Sequence, residues 1–167
     1  MKLTMLLIVA LALIIGCSGG EEESAEQPQE SIPGITLNVQ APDPIPVPDP
    51  KAPSSDTDWE AKVHNKDIEI IQVLNIINPI AAFITEGFKQ YGGQFSETLQ
   101  EEWADTQVQL TKALTLYDDC KKRREAGKFD KQLFLDMEEV WQLLVKTGVA
   151  GVRTKSMVDS ELAAISS

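Results

Sequence analysis

The stretch Ile68–Ile84, "IEIIQVLNIINPIAAFI", decides the fold. It is the most apolar run after the first twenty residues, and two readings compete for it. A membrane-spanning helix needs about 20 predominantly apolar residues. This run is short for that, and Glu69, Gln72, Asn75, Asn78 and Pro79 interrupt it. At 100° per residue these polar positions share one half of a helix and leave a wide apolar half. The spacing therefore predicts a central helix covered by two neighbours.

Extended outward, the same helix carries two interleaved series at steps of seven. Val63, Ile70, Ile77, Ile84 and Tyr91 form one; Asp67, Leu74, Ala81 and Phe88 form the other. This is a coiled-coil-like heptad pattern with one polar defect, Asp67. Thr57-Asp58-Trp59-Glu60 reads as a capping box at its start. Pro79 is expected to kink it by removing an interior hydrogen bond, and Gly92-Gly93 to end it.

A second helix follows, with Ser96 as its cap and a seam at steps of four and three: Leu99, Trp103, Thr106, Leu110, Ala113, Tyr117 and Cys120. Lys121 to Arg124 suit the negative end of its dipole, and Gly127 is the expected stop. In a third helix Asp130 caps, Phe129 and Phe134 form a hydrophobic staple, and Leu133, Met137, Val140, Trp141 and Leu144 are the core residues. Gly148 and Gly151 interrupt the pattern, and a weaker fourth helix is expected over 155–165 with Val158, Leu162 and Ile165 on one face. Short connections between amphipathic helices predict an all-α fold, a three- or four-helix antiparallel bundle.

Ahead of the bundle, residues 18–56 lack aromatic side chains and are rich in Ser, Glu, Gln, Gly and Pro, the composition of a disordered tether. Within "APDPIPVPDP", proline stands at 42, 44, 46, 48 and 50. Such alternation favours a polyproline-II rod at ~3.1 Å per residue, roughly 25–30 Å from Pro42 to Pro50. The apolar alternation Ile35-Thr36-Leu37-Asn38-Val39 is read as extended and unpaired, since an isolated strand is marginal alone.

Catalytic signals are absent from the sequence. His64 is the one histidine and lies near the start of the first helix, one turn after Glu60, without a nucleophile or a metal shell. Glu101, Glu102, Asp105, Asp118, Asp119, Asp136, Glu138 and Glu139 contain no Glu-x-x-His pair of the di-iron bundles. They also lack the Asp/Asn/Gly spacing of a calcium loop, and read as solvated faces. Trp103 and Trp141 fall on core stripes, while Trp59 at the domain entrance is less explained. Cys120, on a seam, reads as a buried apolar residue. No catalytic residue, metal ligand or cofactor site is expected.

The chain begins with a cationic residue, Lys2, and an apolar run, Leu3–Ile15, that closes on Gly16-Cys17-Ser18. This layout is that of a cleaved secretory signal. Ile14-Ile15-Gly16-Cys17 resembles the lipobox of bacterial lipoproteins, the signal peptidase II class. The resemblance implies a signal peptide over 1–16, cleavage between Gly16 and Cys17, and acylation of Cys17 with diacylglycerol and in many bacteria a third chain such as palmitate. Two or more chains anchor stably, at about 0.8 kcal/mol per buried CH₂. The domain plan is then 1–16 signal peptide, 17–56 lipidated Cys17 and proline-rich tether, and 57–167 helical bundle. Ser18 after the cysteine resembles the class sorted to the outer membrane. Glu21-Glu22-Glu23 resembles a surface-export tether and equally suits a soluble linker, which leaves the membrane face open.

The chain of 167 residues has 15 basic and 26 acidic side chains, formal net charge −11; cleavage removes Lys2 and takes it to about −12. Such a charge is repelled by phosphate backbones, which disfavours nucleic-acid binding. With Cys17 acylated, Cys120 has no intramolecular thiol to pair with.

Three functional readings follow. The first is a non-catalytic cell-envelope lipoprotein, held to the membrane through lipid on Cys17, whose acidic bundle binds or scaffolds a protein partner. The second is a phage-type lysis or superinfection-exclusion lipoprotein. Residues 17–53 resemble the layout of outer-membrane spanin subunits, although the long folded domain departs from that pattern. The third is a small-ligand or metal carrier that uses the bundle interior.

Overall fold

The computed structural model describes residues 37–166. Three helices carry the fold: α1, Trp59–Tyr91; α2, Glu97–Glu125; and α3, Lys131–Ile165, with a 3-10 turn at Gly92–Gln94 between the first two. The all-α bundle read from the sequence is the observed architecture, with three helices.

Both heptad series of α1 point inward. Val63, Ile70, Ile77 and Ile84 are fully buried, and Asp67, Leu74 and Ala81 nearly so. The α2 seam is buried at every position from Leu99 to Cys120, and Leu133, Met137, Val140 and Leu144 of α3 complete the core. Buried threonines satisfy their hydroxyls locally. Thr106, Thr147 and Thr154 donate to the carbonyls of Glu102, Leu143 and Ala150 at 2.8, 2.7 and 2.9 Å.

The ends are set by capping. Ser96 accepts from the Leu99 N–H and Asp130 from the Leu133 N–H, as their positions suggest. Gly127 leaves α2 at φ +71°. Its N–H donates to Arg124 O and that of Lys128 to Arg123 O, the paired bonds of a Schellman stop. At the start of α1 the cap is Asp58 rather than Thr57. Its carboxylate accepts from the Ala61 N–H, and also from the Ser54 N–H and hydroxyl. These bonds, the Ser54 N–H first, hold the Asp58 pKa down at about 2. The cap is thus Asp58, one residue inside the expected box, and Ser54 upstream holds its carboxylate.

Two other expectations change. Gly148 and Gly151 do not interrupt α3, which runs unbroken to Ile165, so 155–165 is its last part and no separate fourth helix forms. Both glycines are buried with Thr147 and Thr154. α3 packs against both α1 and α2, and that packing outweighs the weak helix propensity of glycine, about 1 kcal/mol each. The central helix is accordingly α3, not α1. α1 and α2 meet across larger side chains instead, Phe88 stacking on Trp103 at 6.0 Å and edge-on to Phe95 at 5.0 Å. Pro79 lies inside α1, which is one helix from Trp59 to Tyr91. The tryptophans divide: Trp103 is buried, whereas Trp141 is half-buried under the Lys66 ammonium and Trp59 packs on Phe134.

Trp59–Gln94 is long and apolar enough to cross a membrane by length and composition, and half of its most apolar window is buried inside the bundle. Asn78, read as part of the polar half of α1, is instead 4% exposed, and its Oδ1 has no partner among the described residues.

Candidate functional site

Two polar constellations stand out once the core is placed. The first forms where the start of α1 meets the end of α2. Asp67, the polar defect of the heptads, accepts a 2.8 Å hydrogen bond from the Tyr117 hydroxyl and an ion pair from Arg124. Antiparallel packing makes the meeting possible, because residue 67 is two turns into α1 and residues 117–124 are the last turns of α2. Burial, with the Asp67 carboxylate beside it, pushes the Tyr117 pKa up. Burial likewise raises the Cys120 thiol, one turn along, to about 11, which keeps it protonated and unreactive. Both oxygens of the Asp67 carboxylate are taken, one by Tyr117 and one by Arg124, and the contact ties α1 to α2.

The second constellation lies on the outer face of α1, and it changes the reading of the proline-rich segment. Residues 37–51 have no regular secondary structure, as the prolines dictate, but they are not unpaired. Asn75 takes both main-chain groups of Ile45: the Ile45 N–H donates to Oδ1 at 2.7 Å, and Nδ2 donates to Ile45 O at 2.8 Å. Asn65 treats Lys51 the same way, at 2.8 Å in both directions. Between them His64 Nε2 reaches Asp49 O at 2.7 Å, and since a carbonyl only accepts, that nitrogen carries the proton. Leu37 and Ile45 pack against the core, Leu37 beside Gly87. Residues 37, 45 and 51 thus lie by 87, 75 and 65, so the segment runs antiparallel to α1 as a strap. The part of the tether from 37 to 51 therefore belongs with the bundle; residues 18–36 lie outside the described residues.

Its geometry suits the clamps. Polyproline II has three residues per turn, so Ile45 and Lys51, two turns apart, present the same side to α1, roughly 19 Å from each other. Asn65 and Asn75 stand roughly 15 Å apart along α1 at ~1.5 Å per residue. Proline has no N–H, so only the residues between the prolines can donate, and both clamps grip such residues. Beneath the strap, Ile68 and Ile71 share a stripe with His64 and Asn75. They are 8% and 7% exposed although they lie outside the contiguous core cluster. Along α1 both lie between the two clamps, Asn65 and Asn75.

Gly16 and Cys17, the residues of the lipobox resemblance, lie outside the described residues. His64, read from the sequence as a plain surface residue, holds the strap and does not pair with Glu60, which instead pairs with Lys51 at 2.7 Å. The carboxylates are dispersed. Glu102 faces Arg153 at 3.3 Å, Asp118 and Asp119 share Lys122, Asp136 meets Arg123, and Glu138 joins Glu69 on Lys66. Among the described residues no group of three or more His, Cys, Asp or Glu could hold a metal ion. Sequence reasoning missed Asn65 and Asn75. The available signal was a pair of asparagines on the outer side of an apolar helix, downstream of a rod with alternate N–H groups. Comparison with protein-family models, with curated proteins and with solved structures finds no match.

Proposed function

We infer that this chain is a lipid-anchored envelope protein that acts by binding a protein partner rather than by catalysis. The observation that carries the reading is the outer face of α1, where His64, Asn65 and Asn75 hold an extended segment by its main chain. The surface holds polypeptide, and the buried Asp67 is taken up by Tyr117 and Arg124. Ile14-Ile15-Gly16-Cys17 supplies the anchor in this reading, with Ser18 favouring the outer membrane. Because Leu37 docks at the Gly87 end of α1, the stretch from Cys17 to the bundle is limited to residues 18–36, at most roughly 65 Å at ~3.4 Å each. The anchored bundle would therefore search a short distance from its membrane, and its acidic surface would keep it off anionic headgroups.

Metabolic labelling with palmitate tests the anchor. Wild type should be labelled and cleaved, and Cys17→Ala should be unlabelled and remain as a precursor. Equal labelling of both removes the anchor from the account. Crosslinking in the native host, followed by mass spectrometry, tests the partner: a protein captured through α1 supports the reading, and capture of none speaks against it.

A further inference from the structure

We propose that the α1 face bearing His64, Asn65 and Asn75 is a docking site for an extended, proline-alternating segment, and that residues 37–51 of a second copy of this chain occupy it in trans. The inference deepens the binding reading above and rests on it for its setting at a membrane; the docking chemistry stands on the strap alone.

Recognition at this face is aimed at the main chain. Each asparagine satisfies one N–H and one C=O of a single residue, and His64 takes a third carbonyl. Such contacts do not depend on the segment being covalently joined to the helix it lies on. The apolar requirement is met by Leu37 and Ile45, also within the strap. Every copy of the chain therefore carries both a complete face and a complete occupant.

The covalent link between them is short and exposed. Residues 52–57 are exposed, and the turn is held by bonds local in sequence: Ser54 to Asp58, the Asp58 N–H to Ser55 O, the Trp59 N–H to Thr57 O, Lys62 Nζ to Asp56 O, and the Lys51–Glu60 ion pair. Opening this turn leaves the strap's own contacts available to a neighbour. Exchange of an identical element between copies is a low-cost route to a dimer for this reason. The stripe Ile68–Ile71 also needs a cover, and a neighbour's strap serves it as well as the chain's own. Attachment of many copies to one membrane raises the local concentration at which trans docking competes with cis docking.

Two full-length variants, purified in detergent and carrying different fluorophores, test the proposal by complementation. Ile45→Asp spoils the strap and keeps the face; Asn65→Ala/Asn75→Ala spoils the face and keeps the strap. Mixed together they should associate, with energy transfer between labels, while each variant mixed with a labelled copy of itself should show none. Adding Asn65→Ala/Asn75→Ala to the Ile45→Asp chain should abolish association with the second partner. Circular dichroism confirms that the helices persist, and Leu37→Asp replaces Ile45→Asp if the latter loses them. No association in the complementary mixture overturns the proposal, and so does equal association in every mixture. Palmitate labelling reads the anchor separately, so loss of exchange and loss of anchoring are distinguishable.

Discussion

The Tyr117 hydroxyl donates to Asp67 Oδ1 at 2.8 Å, and Arg124 pairs with the other oxygen of the same buried carboxylate. The contact joins the second turn of α1 to the last turns of α2, and fixes their register at one end of the bundle. Removing the neutral donor by Tyr117→Phe should cost about 1–3 kcal/mol, the range for leaving a buried acceptor short of a partner. Arg124→Met should cost more, about 3–5 kcal/mol, because it leaves an unbalanced buried charge. Urea melts of the two variants rank them; the opposite order would mean that the carboxylate does not depend on the arginine.

Alkaline pH should loosen the same end. Burial raises both the Tyr117 and Cys120 pKa values, that of Cys120 from 9.0 to about 11. The folded chain then holds protons that the unfolded chain releases, so stability is flat below the unfolded thiol value and falls as pH rises through it. Urea midpoints should decline above about pH 9 and continue to fall past the ordinary tyrosine range, near 10. Cys120→Ala should remove the earlier part of the decline. An unchanged slope in that variant would assign the effect elsewhere.

Leu110 is fully buried on the α2 seam, and Leu110→Ala should cost about 2–5 kcal/mol. The Glu102 carboxylate pairs with Arg153, itself largely exposed, at 3.3 Å. Glu102→Ala should therefore stay within about 1 kcal/mol. Similar midpoints for the two would remove Leu110 from the core.

Gly148 and Gly151 are buried in α3, the helix that packs against both others. Gly151→Leu should be destabilising by about 1–3 kcal/mol through overpacking, despite the better helix propensity of leucine. A thermal melt that rises in this variant would show that the glycine leaves room rather than closeness.

The helices were legible because burial imposes a period. The α2 seam from Leu99 to Cys120, and the steps of seven from Val63 to Ile84, both reached the core as read. What failed were inferences from single residues judged alone. Gly148 and Gly151 look like breakers, yet close packing on two sides favours small residues in a continuous helix. Asn75 looks like an interruption of an apolar run, yet it is a clamp. Alternate prolines seem to forbid pairing, yet side-chain amides need only one N–H every second turn. No periodicity announces a contact between an asparagine and a main chain thirty residues away. Asp67 was visible as a defect, but its partners, on the far helix, emerge only from antiparallel register.

Docking of the strap on α1 is the claim on which the binding surface rests, and amide hydrogen exchange at single residues tests it most directly. The Ile45 and Lys51 N–H groups are held by Asn75 and Asn65, while those of Asp43, Val47 and Asp49 have no partner among the described residues. Exchange of Ile45 and Lys51 should therefore be slowed relative to these three neighbours. Asn75→Ala should release Ile45, and Asn65→Ala should release Lys51. Uniformly fast exchange across residues 43–51 in the wild-type chain would contradict the account.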